Sequence, residues 1–430
     1  MKTLVSTLLF VFSLTCFAFL PQSQAVAPPP DGGYPGGNTA EGQSALLGLT
    51  TGLYNTAVGI YSVLSLTDGN FCTGVGAGTL LSNTADQNTA TGAGALLSNT
   101  TGGFNTANGT FALFSNTTGE GNTATGDNAL FSNTTGSSNT ATGFTTLDFN
   151  TTGSFNTAVG TAALLLNTTG NRNTAIGFQA LFISSTANDN TAYGYQALSD
   201  NSSGGQNTAV GSGALGNNAG GNSNTAIGGN ALFSSTGNDN TAFGENAGGS
   251  VTTASNVIII GAGVFGTNTD NSCFIGNIFN QSSPSGTAVF VNSDGKLGTT
   301  VSSRRFKDDI KPMDKTSEAI LALKPVTFRY KKEFDPTGIA QFGLVAEDAE
   351  KVNPDLVVRD KEGKPYSVRY DQVNAMLLNE FLKEHRTVQK QQQEIDSLRA
   401  ELRDQRDLVR KVREKIEAST ARPQVVAENP

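Results

Sequence analysis

Residues 88–138 read NTATGAGALLSNTTGGF, NTANGTFALFSNTTGEG and NTATGDNALFSNTTGSS, three copies of one pattern. The tetrad Asn-Thr-Ala-x followed by Gly opens each copy, and from Asn88 to Asn224 it recurs without exception at a spacing of 17 residues. Other copies, some truncated or diverged, begin at Asn38, Asn55, Asn70, Asn240 and Asn256. A period this strict outweighs local propensity, so the sequence predicts a stack of equivalent units.

The length and composition of the repeat favour a β-solenoid. Each unit is too short for a pair of helices, and Asn, Thr and Gly are poor helix formers. We expect short strands around Thr-Ala-Val-Gly and Ala-Leu-Phe, Gly and Asn at the corners, and Asn side chains that hydrogen-bond in a ladder. The predicted inward-facing set, joined by Leu and Phe of the second strand, is Ala57, Val58, Ala158, Val159, Ala175 and Ile176.

Such a solenoid has a thin core. At about 4.8 Å per coil, roughly 13 coils make a rod of about 60–65 Å. Small side chains bury little apolar surface in one chain, and three chains packed together would supply the missing burial. We therefore expect a homotrimer.

The repeat resembles the head repeats of trimeric autotransporter adhesins, in which Asn-Thr-Ala-Val-Gly is followed half a coil later by Ala-Leu. This resemblance covers residues 38–261. It implies a left-handed parallel β-roll that assembles as a homotrimer and binds a cell-surface glycan or matrix ligand. Two other interpretations stay open: a passive structural fibre without a ligand, held together by a non-cleaving trimerisation domain, and an ice-binding solenoid that displays ranked Thr side chains.

The net charge of −8 conceals two chemically different halves. Residues 26–300 carry 13 acidic side chains and only two basic ones, Arg172 and Lys296. Residues 301–430 carry 23 acidic and 25 basic side chains. The acidic front half argues against nucleic acid as a partner, because phosphates need clustered Lys or Arg.

Few residues are suited to metal or cofactor chemistry. His385 is the only histidine, which rules out a His-based triad together with a separate His metal site. The three cysteines lack the paired spacing of a thiolate zinc site, and the Gly-Gly-x-Gly-x-Asp pattern of calcium-binding solenoids is absent. We expect no metal and no cofactor.

The N-terminus has the pattern of an export signal. An apolar run from Leu4 to Leu20 follows a positive start, and Ser23-Gln24-Ala25 places small residues where a signal peptidase tests them. We expect a signal peptide at residues 1–25, a linker at 26–37, and a secreted or cell-surface protein without a membrane-spanning segment in the mature chain. A membrane anchor is the alternative interpretation.

Charge density rises at residues 302–310, Ser-Ser-Arg-Arg-Phe-Lys-Asp-Asp-Ile, after a β-rich neck at residues 262–301. This segment resembles the start of the intramolecular chaperone domain at the end of phage endosialidase spikes and tail fibres. Further matches to that family lie at Ile320–Tyr330, Gly343–Asp348, Tyr370, Leu377, Leu378 and Lys383. The resemblance implies a chaperone auto-processing domain, which we place at residues 302–372.

The resemblance also implies self-cleavage by a serine endopeptidase dyad, Ser302 and Lys307, at the Val301–Ser302 bond. A lysine acts as the base only if it is neutral, a state that burial favours. Five residues span about 16 Å in a strand, beyond the reach of Lys, and lie on different faces of a helix. We therefore expect Ser302 on a turn just before a short helical segment, or opposite Lys307 of another subunit.

This assignment has departures and alternatives. Ser303 and Glu347 stand where the family has Asp and Gln. Ser303 is a second candidate nucleophile. Residues 302–305 are alternatively a polar linker with helix-capping serines.

A heptad pattern follows the chaperone segment. Its apolar seam is formed by Asn374, Phe381, Val388, Ile395, Leu402, Val409 and Ile416 at the first position and by Leu377, Glu384, Gln391, Leu398, Gln405 and Val412 at the fourth. We expect a trimeric coiled coil at residues 373–418 and a disordered tail at 419–430.

The predicted fold class is mainly β, with a trimeric β-solenoid, a small α+β chaperone domain and a coiled coil. The predicted function is a secreted, adhesin-like trimeric fibre whose C-terminal domain drives assembly and then releases itself.

Overall fold

The computed structural model describes residues 34–284 and 286–420, which form two compact units divided between residues 282 and 283. The first unit is built from β-strands and turns, with one short 3-10 helix at Pro35–Gly37, and the second mixes short strands with helices. The predicted signal peptide at residues 1–25 lies outside the described residues, as do most of the linker and most of the C-terminal tail.

One parallel sheet of fifteen strands runs through the first unit. Each strand has three residues and pairs in register with the strands of the neighbouring coils, and over most of the sheet Thr lies beside Thr and Ala beside Ala. Strands β1 to β15 are Thr39–Glu41, Thr56–Val58, Thr73–Val75, Thr89–Thr91, Thr106–Asn108, Thr123–Thr125, Thr140–Thr142, Thr157–Val159, Thr174–Ile176, Thr191–Tyr193, Thr208–Val210, Thr225–Ile227, Thr241–Phe243, Ile258–Ile260 and Cys273–Ile275. The predicted β-solenoid is confirmed, and its sheet continues beyond residue 261.

The interior of each coil is narrower than the sequence pattern predicts. Only the middle residue of each strand points inward, so that Ala158 has 0% exposure whereas Val159 beside it has 37%. A fully buried Leu from the second half of the coil, such as Leu164, completes the core. The prediction that Val58, Val159 and Ile176 face inward is wrong, because side chains alternate along a strand and three residues leave room for one inward side chain.

Turns replace the second strand predicted around Ala-Leu-Phe. Leu113 has a φ of 52°, and the equivalent Leu of the next coil, Leu130, has a φ of 55°. The left-handed conformation costs a Leu roughly 1–2 kcal/mol. Both side chains have 0% exposure, and full burial of a Leu contributes about 1.5–3 kcal/mol. Burial of this Leu column therefore offsets the backbone strain of the turns.

Two columns of buried Asn side chains run along the solenoid. In the first column, Asn139 Oδ1 accepts from the backbone N–H of Asn156 at 3.0 Å, and Asn139 Nδ2 donates to Gly153 O at 2.8 Å. In the second column, Asn150 Nδ2 donates to Asn133 Oδ1 at 2.7 Å. With the exception of Asn167 Oδ1, the buried amides of the two columns make hydrogen bonds, which offsets the penalty for burying polar groups.

The diverged copies of the repeat are in a different register from the one predicted. Cys72, and not Asn70, occupies the first Asn column, where its Sγ donates to Ala85 O at 3.1 Å as an amide would. Val257, and not Asn256, takes the same place in the later copy. The stacking register is therefore set by the strands, and the Asn column tolerates substitution.

The second unit, within its described residues, contains three two-stranded antiparallel sheets and two α-helices. Strands β16 to β21 are Val289–Val291, Leu297–Thr299, Val326–Phe328, Gln341–Gly343, Val357–Arg359 and Pro365–Val368. Helices α1 and α2 span Ala346–Val352 and Tyr370–Thr420, and short 3-10 helices form at Arg304–Phe306, Asp314–Ala322 and Pro354–Leu356. The small apolar core of this unit consists of Ala349, Leu356, Val357, Val368, Val373 and Met376.

Helix α2 is 51 residues long and carries the predicted heptad seam. In the single chain, the exposure of the apolar seam residues includes values of 67% at Phe381 and 43% at Ile395. Long helices in water obtain most of their stability from packing an apolar face. Most of the seam of α2 therefore lacks a packing partner among the residues that the structure describes.

Candidate auto-processing site

Ser302 and Lys307 lie on either side of one turn of 3-10 helix. Ser303 is extended, Arg304–Phe306 forms the turn, and the N–H of Lys307 donates to Arg304 O at 3.1 Å. This reversal brings Lys307 Nζ, as a donor, to 3.2 Å from Ser302 Oγ. The structure thus places Ser302 just before a short helical segment and brings the two predicted dyad residues into hydrogen-bond contact.

The surroundings of this contact are open to solvent. Ser302 and Lys307 are both exposed, and Val301 on the other side of the predicted scissile bond is 56% exposed. The Arg305 guanidinium lies 4.6 Å from the centre of the Phe306 ring, a cation–π contact that supports the turn. A single chain therefore brings the two side chains into contact, at a position that is open to solvent.

Ser303 occupies the position before the 3-10 turn without capping it. Its side chain makes no hydrogen bond to the backbone of the turn. The interpretation of residues 302–305 as a linker with helix-capping serines therefore loses its physical basis at Ser303. The contact to Lys307 is made by Ser302.

A second serine–lysine contact joins the 3-10 helix Asp314–Ala322 to α2. Fully buried Ser317 donates to Glu380 and accepts from Asn379 Nδ2 at 2.7 Å and Lys383 Nζ at 3.4 Å. The hydrogen bond with Glu380 raises the pKa of Lys383, and the same bond lowers the pKa of Glu380. Lys383 is therefore held in its charged form, and the cluster acts as a structural tie between the two elements.

Sequence reasoning missed this cluster. Ser317 and Lys383 are 66 positions apart, and neither lies in a recognisable catalytic spacing. The sequence singled out Lys383 only as a match to the family pattern. Nothing in the sequence indicated that Ser317 is buried, because a serine within a polar segment is typically exposed to solvent.

Two separated segments of the family resemblance meet beside α1. Tyr370 Oη accepts from the N–H of Leu344 at 2.9 Å. A Cβ added at Gly343 would lie 2.8 Å from the same oxygen, so the close approach requires glycine. Glu347, one of the two departures from the family pattern, lies exposed in the first turn of α1. The resemblance in this region therefore corresponds to packing.

Neither a metal cluster nor a membrane helix occurs in the described part of the chain. Residues 34–284 and 286–420 contain no group of three or more His, Cys, Asp or Glu side chains placed to hold a metal ion. Among the helices of these residues, none combines the length and the apolar character needed to cross a bilayer.

Residues 302–358 match the protein family described as the chaperone of endosialidase. The match begins at Ser302 and extends through α1 into β20, so it includes the 3-10 turn and both predicted dyad residues. The predicted C-terminal chaperone domain is thereby confirmed. No curated protein and no solved structure matches the chain.

Proposed function

We propose that the protein is an exported fibre that assembles as a homotrimer through its C-terminal unit and then cuts its own Val301–Ser302 bond. The observation that carries the proposal is the 3.2 Å contact between Lys307 Nζ and Ser302 Oγ, at the first residue of the chaperone match. The solenoid is the product of this reaction. Residues 302–430 drive the assembly of the trimer and are released by the cleavage.

The position of the nucleophile defines the chemistry. Ser302 Oγ belongs to the residue that follows the scissile carbonyl, so its attack on the Val301 carbonyl carbon transfers the acyl group from nitrogen to oxygen. Lys307 removes the hydroxyl proton and returns it to the departing nitrogen, which becomes the new amino terminus. One water then hydrolyses the Val301 ester and restores the Ser302 hydroxyl.

Assembly is the proposed trigger. Lysine serves as a base when it is neutral, a state that burial favours, and in a single chain the turn that carries Ser302 and Lys307 is exposed. The exposed apolar seam of α2 supplies a surface through which three helices associate as a coiled coil. Packing around the chaperone domain would then withdraw the dyad from water only after the copies have met.

This order of events suits the folding of the solenoid. Each of its strands pairs with the strands of the neighbouring coils, and in a typical coil the apolar core consists of only two Ala and one Leu. Helix–helix contacts form quickly, so a helical trimer aligns the chains before the coils stack. Cleavage afterwards removes residues 302–430 and makes the assembly hard to reverse.

The exported solenoid is proposed to bind a cell-surface glycan or matrix ligand. The support is its resemblance to adhesin heads and the predicted signal peptide. Purified fibre should bind members of an immobilised glycan or matrix panel. Failure to bind any member would favour the passive structural fibre.

Intact-mass analysis of the purified chain tests the cleavage. Wild-type protein should yield a fragment that begins at Ser302, while Ser302→Ala and Lys307→Met should remain at full length yet still assemble. Ser303→Ala is the matched control and should cleave. Hydroxylamine should capture the ester as a hydroxamate at Val301. A wild-type trimer that stays uncut would contradict the proposal.

The strand surface gives one observation in favour of the ice-binding alternative. Several strands display two outward Thr side chains whose hydroxyls have no partner within the described residues, namely Thr89 and Thr91, Thr123 and Thr125, and Thr140 and Thr142. By contrast, Thr117 in the turn region donates to Thr134 O at 2.9 Å. Thermal hysteresis that disappears in Thr123→Leu would support this alternative, and its absence in the wild type would exclude it.

A further inference from the structure

The outward side of the fifteen-stranded sheet carries a continuous apolar stripe. It is formed by the third residue of each strand from β8 to β15, and these residues are Val159, Ile176, Tyr193, Val210, Ile227, Phe243, Ile260 and Ile275. Their exposure ranges up to 57% at Tyr193, and Ile260 and Ile275 are each 42% exposed. At about 4.8 Å per coil, the stripe is about 34 Å long.

The strands of this sheet are almost free of charged residues. Glu41 is the only charged residue in strands β1 to β15. The 13 acidic residues of segment 26–300 otherwise lie outside these strands, against only two basic residues. Two copies of so acidic a segment repel each other wherever those carboxylates face. The uncharged sheet side is where a second copy can approach without that cost, whereas a basic partner would be recognised by the acidic surfaces.

We infer that the apolar stripe is the surface through which the solenoids of separate copies of this chain pack side by side. This inference rests on the proposed trimer and specifies which face of the solenoid the trimer buries. The outward-facing Val and Ile of the repeat are thereby explained, since they extend the thin core of each coil across the contact between copies.

The area of the stripe determines whether it can hold copies of the solenoid together by itself. Eight strands of three residues present a face of about 400 Å². A stable interface buries about 800 Å² on each partner. The stripe is therefore too small to hold free solenoids together, and it acts once association through α2 has raised the local concentration of the copies.

The character of the sheet face changes towards the N-terminus. In β4 to β7 the outward third residues are polar, namely Thr91, Asn108, Thr125 and Thr142. Val58 and Val75 restore the apolar type in β2 and β3. The contact between copies is accordingly dry over β8 to β15 and hydrated over β4 to β7.

Cys273 provides a native reporter for the contact. It is the first residue of β15, it points outward with Ile275, and its thiol is free and exposed, whereas Cys72 is buried. A short bis-maleimide added to the full chain should join Cys273 of one copy to Cys273 of another and give a covalent dimer on a denaturing gel. Cys273→Ser should abolish that band.

A matched pair of substitutions tests the stripe itself. Ile227 and Phe233 belong to the same coil and are 37% and 38% exposed, but only Ile227 lies on the stripe. Ile227→Glu should lower the yield of the Cys273 cross-link about tenfold or more, because it places like charges opposite each other. Phe233→Glu should leave the yield unchanged. Circular dichroism of both variants confirms that the solenoid is folded.

Three results would overturn the inference. The first is a trimer by light scattering that gives no Cys273 cross-link. The second is an unchanged yield in Ile227→Glu. The third is an equal loss in both Glu variants. Cleavage is read separately from the mass of the Ser302 fragment, so cross-linking in an uncut chain supports the stripe while contradicting the self-cleavage proposal.

Discussion

Ser184 interrupts the second Asn column, and the reason lies three residues further along the chain. In the preceding coil a Cβ added at Gly170 would lie 2.3 Å from Asn167 Oδ1. An Asn in the second column therefore requires a Gly three residues later. The next coil has Ala187 in place of that glycine and Ser184 in place of the Asn. As a result, Asn167 Oδ1 and Ser184 Oγ are buried without a hydrogen-bond partner within the described residues.

The two positions are expected to be coupled in a double-mutant cycle. Ser184→Asn alone should fail to stabilise the fold, because its amide meets the Ala187 Cβ. Combined with Ala187→Gly it should restore the ladder and give Asn167 Oδ1 a donor, which is worth about 1–3 kcal/mol less the roughly 0.5–1 kcal/mol cost of glycine. Urea unfolding of the three variants measures the coupling, with Ser132→Asn, outside both columns, as the control. Additive effects would contradict the steric explanation.

Asp148 makes the stability of the solenoid depend on pH. Burial, together with the charge of Asp127, raises the pKa of Asp148 from 3.8 to about 6. The folded state therefore holds this proton more tightly than the unfolded chain, so stability falls as the pH rises from about 4 to about 6 and remains lower above that range. Asp148→Asn should be more stable than wild type at pH 8, by at most about 3 kcal/mol.

The advantage of Asp148→Asn should disappear at pH 4, where the wild-type carboxyl is protonated in the folded state. Urea unfolding at the two pH values measures the difference. Asp200→Asn is the control. An advantage of equal size at both pH values would show that charge at Asp148 is not the cause.

At the scale of single elements, the sequence predicts the repeating coil and the long helix, but not the inside of the coil. The constant period of the repeat fixes the stacking, and the heptads fix the helix that spans Tyr370–Thr420. The turns around Leu113 could not be predicted from the sequence, because a bulky residue with positive φ contradicts local propensity. Burial of the Leu side chain in the stack stabilises this conformation. For the same reason the outward direction of Val159 emerges only when the strand length is known.

At the candidate site, too, the sequence predicts some contacts and misses others. The two residues of the dyad were predicted from a resemblance, and the 3-10 turn explains how a separation of five residues places Lys307 Nζ beside Ser302 Oγ. The tie between Ser317 and α2 depends on tertiary contact between distant segments, so no local pattern contains it.

The polar layers of α2 provide a prediction for that element. Gln391 occupies a fourth position of the heptad, where a polar side chain specifies register at a cost in stability. Gln391→Leu should therefore raise the thermal midpoint of the helical assembly by several degrees. Gln393→Leu, two residues further on and off the seam, is the control and should have little effect. Equal shifts in the two variants would contradict the coiled coil.

For the whole molecule, the decisive property of the solenoid is that each coil contacts only its neighbours. Strand β5 pairs with β4 and β6, and its Asn105 Oδ1 accepts from the N–H of Asn122 in the next coil at 2.9 Å. Stability in such a stack is close to a sum of coil and interface contributions. Chain length and fold are therefore nearly independent within the repeat.

Removal of one complete coil should accordingly be tolerated. Deletion of residues 105–121 brings Asn88 next to Asn122, and both the strand register and the Asn columns are restored. The variant should show the same circular dichroism spectrum and a rod about 4.8 Å shorter by small-angle scattering. Deletion of residues 105–112, which is not a whole coil, should disrupt folding around the cut. Equal tolerance of both deletions would contradict a register set by the coil.

The same property has a genetic consequence. Near-identical repeats of constant length can misalign during recombination, and each unequal exchange adds or removes whole coils that stack without repair. For the proposed fibre, length thus varies in discrete steps of one coil, while the C-terminal unit, which contains no such repeat, is unaffected. Populations that carry this gene are expected to hold alleles whose solenoids differ in length and whose C-terminal units have the same length.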